Sequence, residues 1–124
     1  MDLRIAYPAA AAMAFTATPS FAEWAAVSVN KNTGHFGYSF RIKTKGAAKA
    51  RAGSQCQKAS SGADGCELEL FTKNCFAVSY AGANVYAADG ATKARAAKEA
   101  EASCQSNHGA QCVTAREHQH CASR

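Results

Sequence analysis

The six cysteines of this chain fall into two triplets with nearly identical spacing, C-x9-C-x8-C and C-x7-C-x8-C. The triplets are Cys56, Cys66 and Cys75, followed by Cys104, Cys112 and Cys121. Matching runs precede them, since residues 44–56 read TKGAAKARAGSQC and residues 92–104 read TKARAAKEAEASC. Self-similarity at a period of about 45–50 residues indicates copies of one structural unit. We therefore predict a single domain, residues 23–124, made of two internal repeats at 24–75 and 76–121.

The N-terminus has the pattern of a secretory signal peptide. Arg4 precedes an apolar, alanine-rich stretch at residues 5–15, and Ser20 and Ala22 occupy the −3 and −1 positions of a cleavage site. The stretch is shorter than the roughly 20 residues of a membrane-spanning helix. We expect residues 1–22 to be a signal peptide and the protein to be periplasmic or extracellular, with no membrane span after cleavage. The alternative is a disordered or membrane-anchoring N-terminus.

The remaining chain has few large aliphatic side chains with which to build a core. It contains two leucines, Leu68 and Leu70, and one isoleucine, Ile42. Small exported domains with thin cores commonly rely on disulfides, and six cysteines allow 15 pairings. In each repeat a short polar loop joins the helix-ending cysteine to the first cysteine of the next strand, and one cysteine is left over. The repeat therefore predicts Cys56–Cys66, Cys104–Cys112 and Cys75–Cys121.

The first repeat begins with the pattern of a β-hairpin at residues 24–41. Residues 24–29 suit a strand, and residues 30–34 form a turn signal that ends in glycine. The next strand alternates, with Phe36, Tyr38 and Phe40 on one face. This order predicts two antiparallel strands joined by a tight turn.

A helix and a third strand are predicted to follow. Thr44 can cap the helix, and a stripe of small side chains at i, i+4 and i+8 comprises Ala48, Ala52 and Cys56. Residues 57–65 read as a polar loop and residues 66–72 as an alternating strand. One face of that strand is predicted to carry Leu68, Leu70 and Thr72.

The second repeat predicts the same order of elements. They are a strand at 76–80, a turn at 82–84, a strand at 85–88, a helix capped by Thr92 with a stripe of Ala96, Ala100 and Cys104, a loop at 105–111 and a strand at 113–120. The last strand is weakly apolar because Thr114 and Arg116 replace Leu68 and Leu70, so we expect it at an edge or shifted in register. The predicted fold class is α+β: two ββαβ repeats, with antiparallel hairpins and two alanine-rich helices packed on sheet, stabilised by disulfides.

The order of these motifs resembles the bacterial secreted family catalogued as domain of unknown function 4189. The matching motifs are W-A-A-V-S at 24–28, the helix ending in Cys56, the pair Cys66 and Cys75, F-A-V-S-Y at 76–80, D-G-A-T-K at 89–93, the helix ending in Cys104, and Cys121. The chain departs from the family pattern in lacking glycine after Cys75 and most of the tryptophan and glycine of the hairpins. The resemblance implies an exported, cysteine-bridged domain, and it carries over no catalytic residues.

The chain shows no recognisable catalytic constellation. It lacks G-x-S-x-G and a glycine-rich phosphate loop, and the repeat-equivalent Ser28 and Ser79 suit packing positions within strands. The carboxylate pairs Glu67/Glu69 and Glu99/Glu101 are expected to be solvated. We predict that the protein is not an enzyme and has no catalytic residues. The alternative is a small secreted hydrolase, whose mark would be a group with a perturbed pKa inside a pocket.

No metal or cofactor is predicted. Zinc sites favour closely spaced cysteine pairs, and none occurs here. The one cluster of possible ligands is residues 118–121, where alternation is expected to place His118 and His120 on one exposed strand face. If Cys121 forms a disulfide, it cannot serve as a ligand.

Basic residues suggest a binding surface. The formal net charge is +5, and five cations fall within residues 41–51. The candidate surface comprises Tyr38, Arg41, Lys43, Lys45, Lys49 and Arg51. A charge run is often only a solvated helix face. The functional expectation is a monomeric, non-enzymatic binding protein whose partner is a protein or an anionic envelope polymer and not nucleic acid.

Overall fold

Each half of the chain forms one three-stranded antiparallel sheet and one long helix, so the predicted α+β fold is confirmed. The computed structural model describes residues 22–124, and the predicted signal peptide, up to residue 21, lies outside the described residues. The elements are β1 (Trp24–Asn30), β2 (Phe36–Ile42), α1 (Lys45–Ala59), β3 (Cys66–Thr72), β4 (Cys75–Ala81), β5 (Asn84–Gly90), α2 (Lys93–His108) and β6 (Gln119–Cys121), with 3₁₀ turns at Gly109–Gln111 and Arg116–His118.

The two sheets have equivalent strand orders, β2-β1-β3 and β5-β4-β6. In both, the first strand of the repeat lies in the centre and pairs antiparallel with its two neighbours. The central strands β1 and β4 are almost wholly buried because both of their faces are covered. The sequence repeat is therefore a repeat of ββαβ units.

The two sheets pack against each other, and the helices cover the outer faces. Val27 and Val29 of β1 share one buried cluster with Phe76 and Val78 of β4. On the outer faces, two separate alanine clusters join each central strand to its own helix. These are Ala26 with Ala48 and Ala52, and Ala77 with Ala96 and Ala100. The layers are therefore α1, sheet, sheet and α2, and the small side chains let each helix approach its sheet closely.

Both helices begin where the sequence predicts and continue past their cysteines. The hydroxyl oxygens of Thr44 and Thr92 accept hydrogen bonds from backbone N–H groups at 3.2 and 3.1 Å. The predicted loops at 57–65 and 105–111 start too early, since α1 extends to Ala59 and α2 to His108. Nothing in the backbone interrupts the helices at the cysteines. The α2 helix stops at Gly109, whose positive φ of 62° suits a residue without a side chain.

All three predicted disulfides are confirmed. Cys56–Cys66 and Cys104–Cys112 each join a helix to the chain that follows, with Cα–Cα distances of 6.1 and 6.0 Å. Cys75–Cys121 joins residues that are direct partners in the β4–β6 ladder. This last bridge ties the C-terminus to the start of the second repeat.

The last strand lies at an edge, as predicted, but its predicted continuity over residues 113–120 is wrong. Val113 makes an isolated bridge to Tyr80, and regular pairing resumes only at Gln119, opposite Ala77. Gln119 lies six residues after Val113, whereas their partners on β4, Tyr80 and Ala77, are only three residues apart. The surplus residues form the 3₁₀ turn Arg116–His118. The residues between Val113 and Gln119 are mostly polar and contribute nothing to the core. The segment can therefore leave the sheet without exposing apolar surface.

The predicted common face of Leu68, Leu70 and Thr72 is also wrong. Val27 pairs with Leu70 and Ser28 pairs with Leu68, so a bulge interrupts the β1–β3 register. A bulge reverses the alternation of side chains along a strand. Leu70 packs against the core between the sheets, whereas Leu68 is 41% exposed.

Candidate functional site

An aromatic pair flanked by lysines lies near the start of α1. The β1–β3 register places Phe71 opposite Ala26, so Phe71 shares the helix-facing side of the sheet with Trp24. The two rings lie 6.0 Å apart between centroids at an angle of 44°. Phe71 remains 39% exposed. Trp24 is partly buried and packs against the alanine cluster of Ala26, Ala48 and Ala52. The accessible apolar surface of the pair is therefore chiefly that of Phe71.

Three ammonium groups surround this pair. Lys45 Nζ lies 4.4 Å from the Phe71 centroid and 5.6 Å from that of Trp24. Lys49 Nζ lies 4.6 Å from Phe71, and Lys73 Nζ lies 4.9 Å from Trp24. Cation–π contacts of this kind are each worth about 0.5–1 kcal/mol at exposed sites. We call these five residues the aromatic–lysine patch.

The patch carries three positive charges that are not neutralised by an ion pair with any carboxylate of residues 22–124. The ion pair found in this part of the chain joins Lys31 Nζ to Glu69 at 3.6 Å, outside the patch. Clustered charges of one sign raise the local potential and attract counter-charged partners. The three ammonium groups can therefore bind an anionic group beside the aromatic pair.

The structure separates the six residues predicted as a binding surface. Lys45 and Lys49 come together over Phe71, one helical turn apart. Lys43 and Arg51 are exposed before and along α1. Arg41 lies 5.7 Å from the Phe40 ring centroid. Tyr38 turns away from the helix and packs against the other sheet, where its ring centroid lies 5.4 Å from that of Phe76.

Sequence reasoning missed Trp24, Phe71 and Lys73 as members of the patch. The sequence places Trp24 in a strand, and strand alternation puts Phe71 on the face of β3 opposite the predicted face of Leu68, Leu70 and Thr72. An aromatic residue on a predicted solvent face was the available signal. Its pairing with Trp24 depends on the register between β1 and β3, which the sequence does not specify.

A second cluster joins Tyr38 to the histidines near the C-terminus. The Tyr38 hydroxyl donates to the Glu117 carbonyl oxygen at 3.1 Å. It also lies 3.0 Å from Nδ1 of His118, which can donate to it in the Nδ1–H tautomer. Burial raises the pKa of Tyr38 above its ordinary value, and the charge of Glu117 adds to this effect. Tyr38 is therefore a protonated, hydrogen-bonding side chain at neutral pH.

The expectation that His118 and His120 lie on an exposed strand face is wrong. Both are partly buried, and His118 belongs to the 3₁₀ turn. His120 stacks on Phe40 with centroids 4.1 Å apart and an angle of 5°. The two imidazoles pack against the aromatic side chains of β2, because the C-terminal segment crosses over that face of the strand.

Burial is the main cause that lowers the pKa of His120. The neighbouring Lys93, His118 and Arg41 side chains lower the pKa further, while the hydrogen bond to the Glu117 carbonyl oxygen opposes the shift. That bond spans 2.9 Å from Nε2. His120 is consequently neutral at physiological pH and acts as a packing ring and hydrogen-bond donor.

Ser28 and Ser79, predicted to serve packing, are both buried. The Ser79 oxygen accepts a hydrogen bond from Thr114 at 2.8 Å, which holds the segment after Cys112 to β4. Among residues 22–124 there is no group of three or more side chains of the metal-ligating types. In the same range no helix has the length and apolar character needed to cross a membrane.

Comparison with known proteins gives one match. A family model described as "Domain of unknown function (DUF4189)" matches residues 24–119, which cover both repeats and every strand except the last residues of β6. No curated protein and no solved structure matches the chain.

Proposed function

The chain belongs to the DUF4189 family, and we propose that it is an exported, non-enzymatic binding protein of the cell envelope or extracellular space. The observation that carries the proposal is the aromatic–lysine patch, in which three ammonium groups, none of them in an ion pair within residues 22–124, surround the partly buried Trp24 and the exposed Phe71. Its ligand is an anionic macromolecule, either an envelope polymer or the acidic surface of a protein.

Two properties of the patch favour binding over simple solvation. The exposed part of Phe71 leaves apolar area available to a partner, and aromatic anchors contribute strongly to interfaces. The cation–π contacts also hold the ammonium groups close to the rings, so less side-chain entropy is lost when a partner binds. A solvated helix face would need neither feature.

Export is supported by the cysteines. All six are paired in disulfides, and such bonds persist mainly in oxidising compartments. The backbone N–H of Glu23 donates to Ser123 Oγ at 3.3 Å, so the residue that follows the predicted cleavage point is held by the C-terminal segment of the domain. We expect protein recovered outside the cytoplasm to have an intact mass that begins at Glu23. Recovery of the full-length chain from the cytoplasm alone would contradict export.

Reversing two charges of the patch tests the binding role. We expect Lys45→Glu with Lys49→Glu to weaken binding about tenfold or more and to flatten its salt dependence, because attraction becomes repulsion at the rings. The measurement is titration calorimetry at several salt concentrations with poly-L-glutamate, an acidic polypeptide, and with poly(glycerol phosphate), an envelope-type polyanion. The preferred probe identifies the class of partner.

A matched control keeps the same net charge. Lys98 and Arg124 are exposed and lie outside the patch. Lys98→Glu with Arg124→Glu should therefore change binding only slightly. Equal losses in the two double variants would show that net charge alone drives the interaction, and the patch would then have no specific role.

The alternative is a small secreted enzyme, and the Tyr38–His118 pair is the observation that keeps it open. The pair lines a groove of about 610 Å³, as a catalytic dyad would. The raised pKa of Tyr38 nevertheless keeps its hydroxyl protonated, which suits neither a base nor a nucleophile at neutral pH. The imidazole with the lowered pKa, His120, packs on Phe40 outside the residues that line the groove. Binding is therefore the function that the geometry favours.

A further inference from the structure

The groove beside Tyr38 lies along the free edge of strand β2. One wall is formed by Phe36, Tyr38 and His118, and the other by Gln55, Lys58 and Ala59 of α1. Gly37 lies between the two walls. Successive residues of a strand point to opposite faces of the sheet, so a cavity lined from both faces must lie at the edge between them. The groove is thus shaped around the backbone of β2.

Within residues 22–124, the backbone of β2 has hydrogen-bonding groups that face this groove without a partner. Among the strands of the described residues, β2 is an edge strand that pairs on one side, with β1. The Asn30 N–H donates to the His35 carbonyl at 2.8 Å, so Asn30 and His35 are a hydrogen-bonded pair. Hydrogen-bonded and non-hydrogen-bonded pairs alternate along an antiparallel ladder. Gly37, opposite Ser28, then exchanges bonds with β1, while the N–H and C=O groups of Phe36 and Tyr38 point outward. Such a row is a template for another strand.

We propose that this groove binds an extended acidic segment of a partner protein, which adds to β2 as a fourth strand of the first sheet. Main-chain hydrogen bonds to Phe36 and Tyr38 hold the segment, as in other cases of strand addition. Lys58 supplies a cation at the wall, and none of the residues lining the groove is acidic. A carboxylate on the incoming strand is the complement of that charge.

A partner protein fits this edge better than a second copy of the chain. The formal net charge of +5 makes two copies repel each other. The groove is also distinct from the aromatic–lysine patch. Lys45 begins α1 and Lys58 lies in its last turn, so about 20 Å of helix separates them. The strand site therefore adds a second binding surface to the proposed function.

The test uses a panel of acetylated and amidated hexapeptides in which valine alternates with glutamate or aspartate. Binding is followed by amide NMR spectra and hydrogen exchange of the purified protein. We expect shifts centred on β2 and slower exchange of the Phe36 and Tyr38 amides. Methylating the peptide nitrogens that face β2 should weaken binding about tenfold, because each lost donor leaves a carbonyl unpaired. Lys58→Gln should weaken it about threefold to fivefold, and Lys98→Gln should not change it.

Four results would overturn the proposal. They are shifts centred on Trp24 and Phe71, equal affinity of the methylated peptides, no binding of any panel member at millimolar concentration, and a concentration-dependent dimer that occupies the edge. The Lys45→Glu, Lys49→Glu variant separates the two sites. It should lose polyanion binding and keep the hexapeptide, so failure at one surface does not decide the other. The amide spectrum of each variant reports whether it remains folded.

Discussion

Removing the Cys75–Cys121 disulfide, by replacing both cysteines with alanine, is expected to lower the free energy of unfolding by about 4 kcal/mol. The bridge spans 46 residues, whereas the two local bridges span 10 and 8. In the chain-entropy account a longer closed loop restricts the unfolded state more, and the local bridges contribute about 2.5 kcal/mol each. The long bridge should therefore be the most stabilising of the three.

The native state supplies a further reason for this ranking. β6 has only three residues and pairs with β4 only at Cys75, Phe76 and Ala77. The fully buried Ala122 follows it directly. Without the covalent link this short strand should fray, and His120 should leave the Phe40 ring on which it stacks.

Urea unfolding followed by circular dichroism measures the effect, and hydrogen exchange of residues 119–122 reports the fraying. The matched control is Cys104→Ala with Cys112→Ala, which removes a bridge of similar burial from the same repeat. An equal loss of stability in the two double variants would contradict the ranking. If the amides of β6 exchange as slowly without the bridge as with it, the strand does not fray and the expectation is contradicted.

Gly37→Ala is expected to destabilise the fold by about 3 kcal/mol, near the upper end for an overpacked core position. A Cβ at Gly37 would lie 2.5 Å from the carbonyl carbon of Gln55 and would also clash with the backbone N of Cys56. The backbone of α1 cannot retreat easily, since Ala48 and Ala52 pack on β1 and Cys56 is bridged to Cys66. The absence of a side chain at Gly37 is what lets the helix cross β2 at this distance.

Gly53→Ala is the control within the same helix. An added Cβ there meets no atom within 4 Å. Alanine has the higher helix propensity, so this change should stabilise the protein by up to about 1 kcal/mol. Thermal and urea unfolding of the two variants should move in opposite directions. Similar shifts for both would mean that helix propensity, and not the contact with β2, controls this region.

Local patterns in the sequence predicted a large part of this structure. The alanine stripes at i, i+4 and i+8 identify the buried faces of both helices because helical periodicity is a property of the chain itself. Thr44 and Thr92 fix the helix starts for a similarly local reason. The disulfide pairing also followed from the sequence. Each repeat has three cysteines, so one local bridge in each repeat leaves one cysteine over, and the two remaining cysteines pair with each other.

The candidate site was predicted only in part. Lys45 and Lys49 were found because they are one helical turn apart, which is a local relation. Trp24 and Phe71 lie far apart in the chain and meet only through strand register. Tyr38 was assigned to the same surface because it is close in sequence, yet strand alternation turns it toward the opposite sheet.

The sequence by itself determined the repeat, the caps, the buried faces of the helices and the cysteine pairs, since each rests on periodicity or on the equivalence of the two halves. Only the tertiary structure decided the packing of sheet on sheet, the bulge in β3, the broken last strand and the groove at the edge of β2. Those features depend on which strands become neighbours and in what register. That choice is made by the burial of Val27, Phe76 and Val78 in a shared core, and no local pattern encodes it.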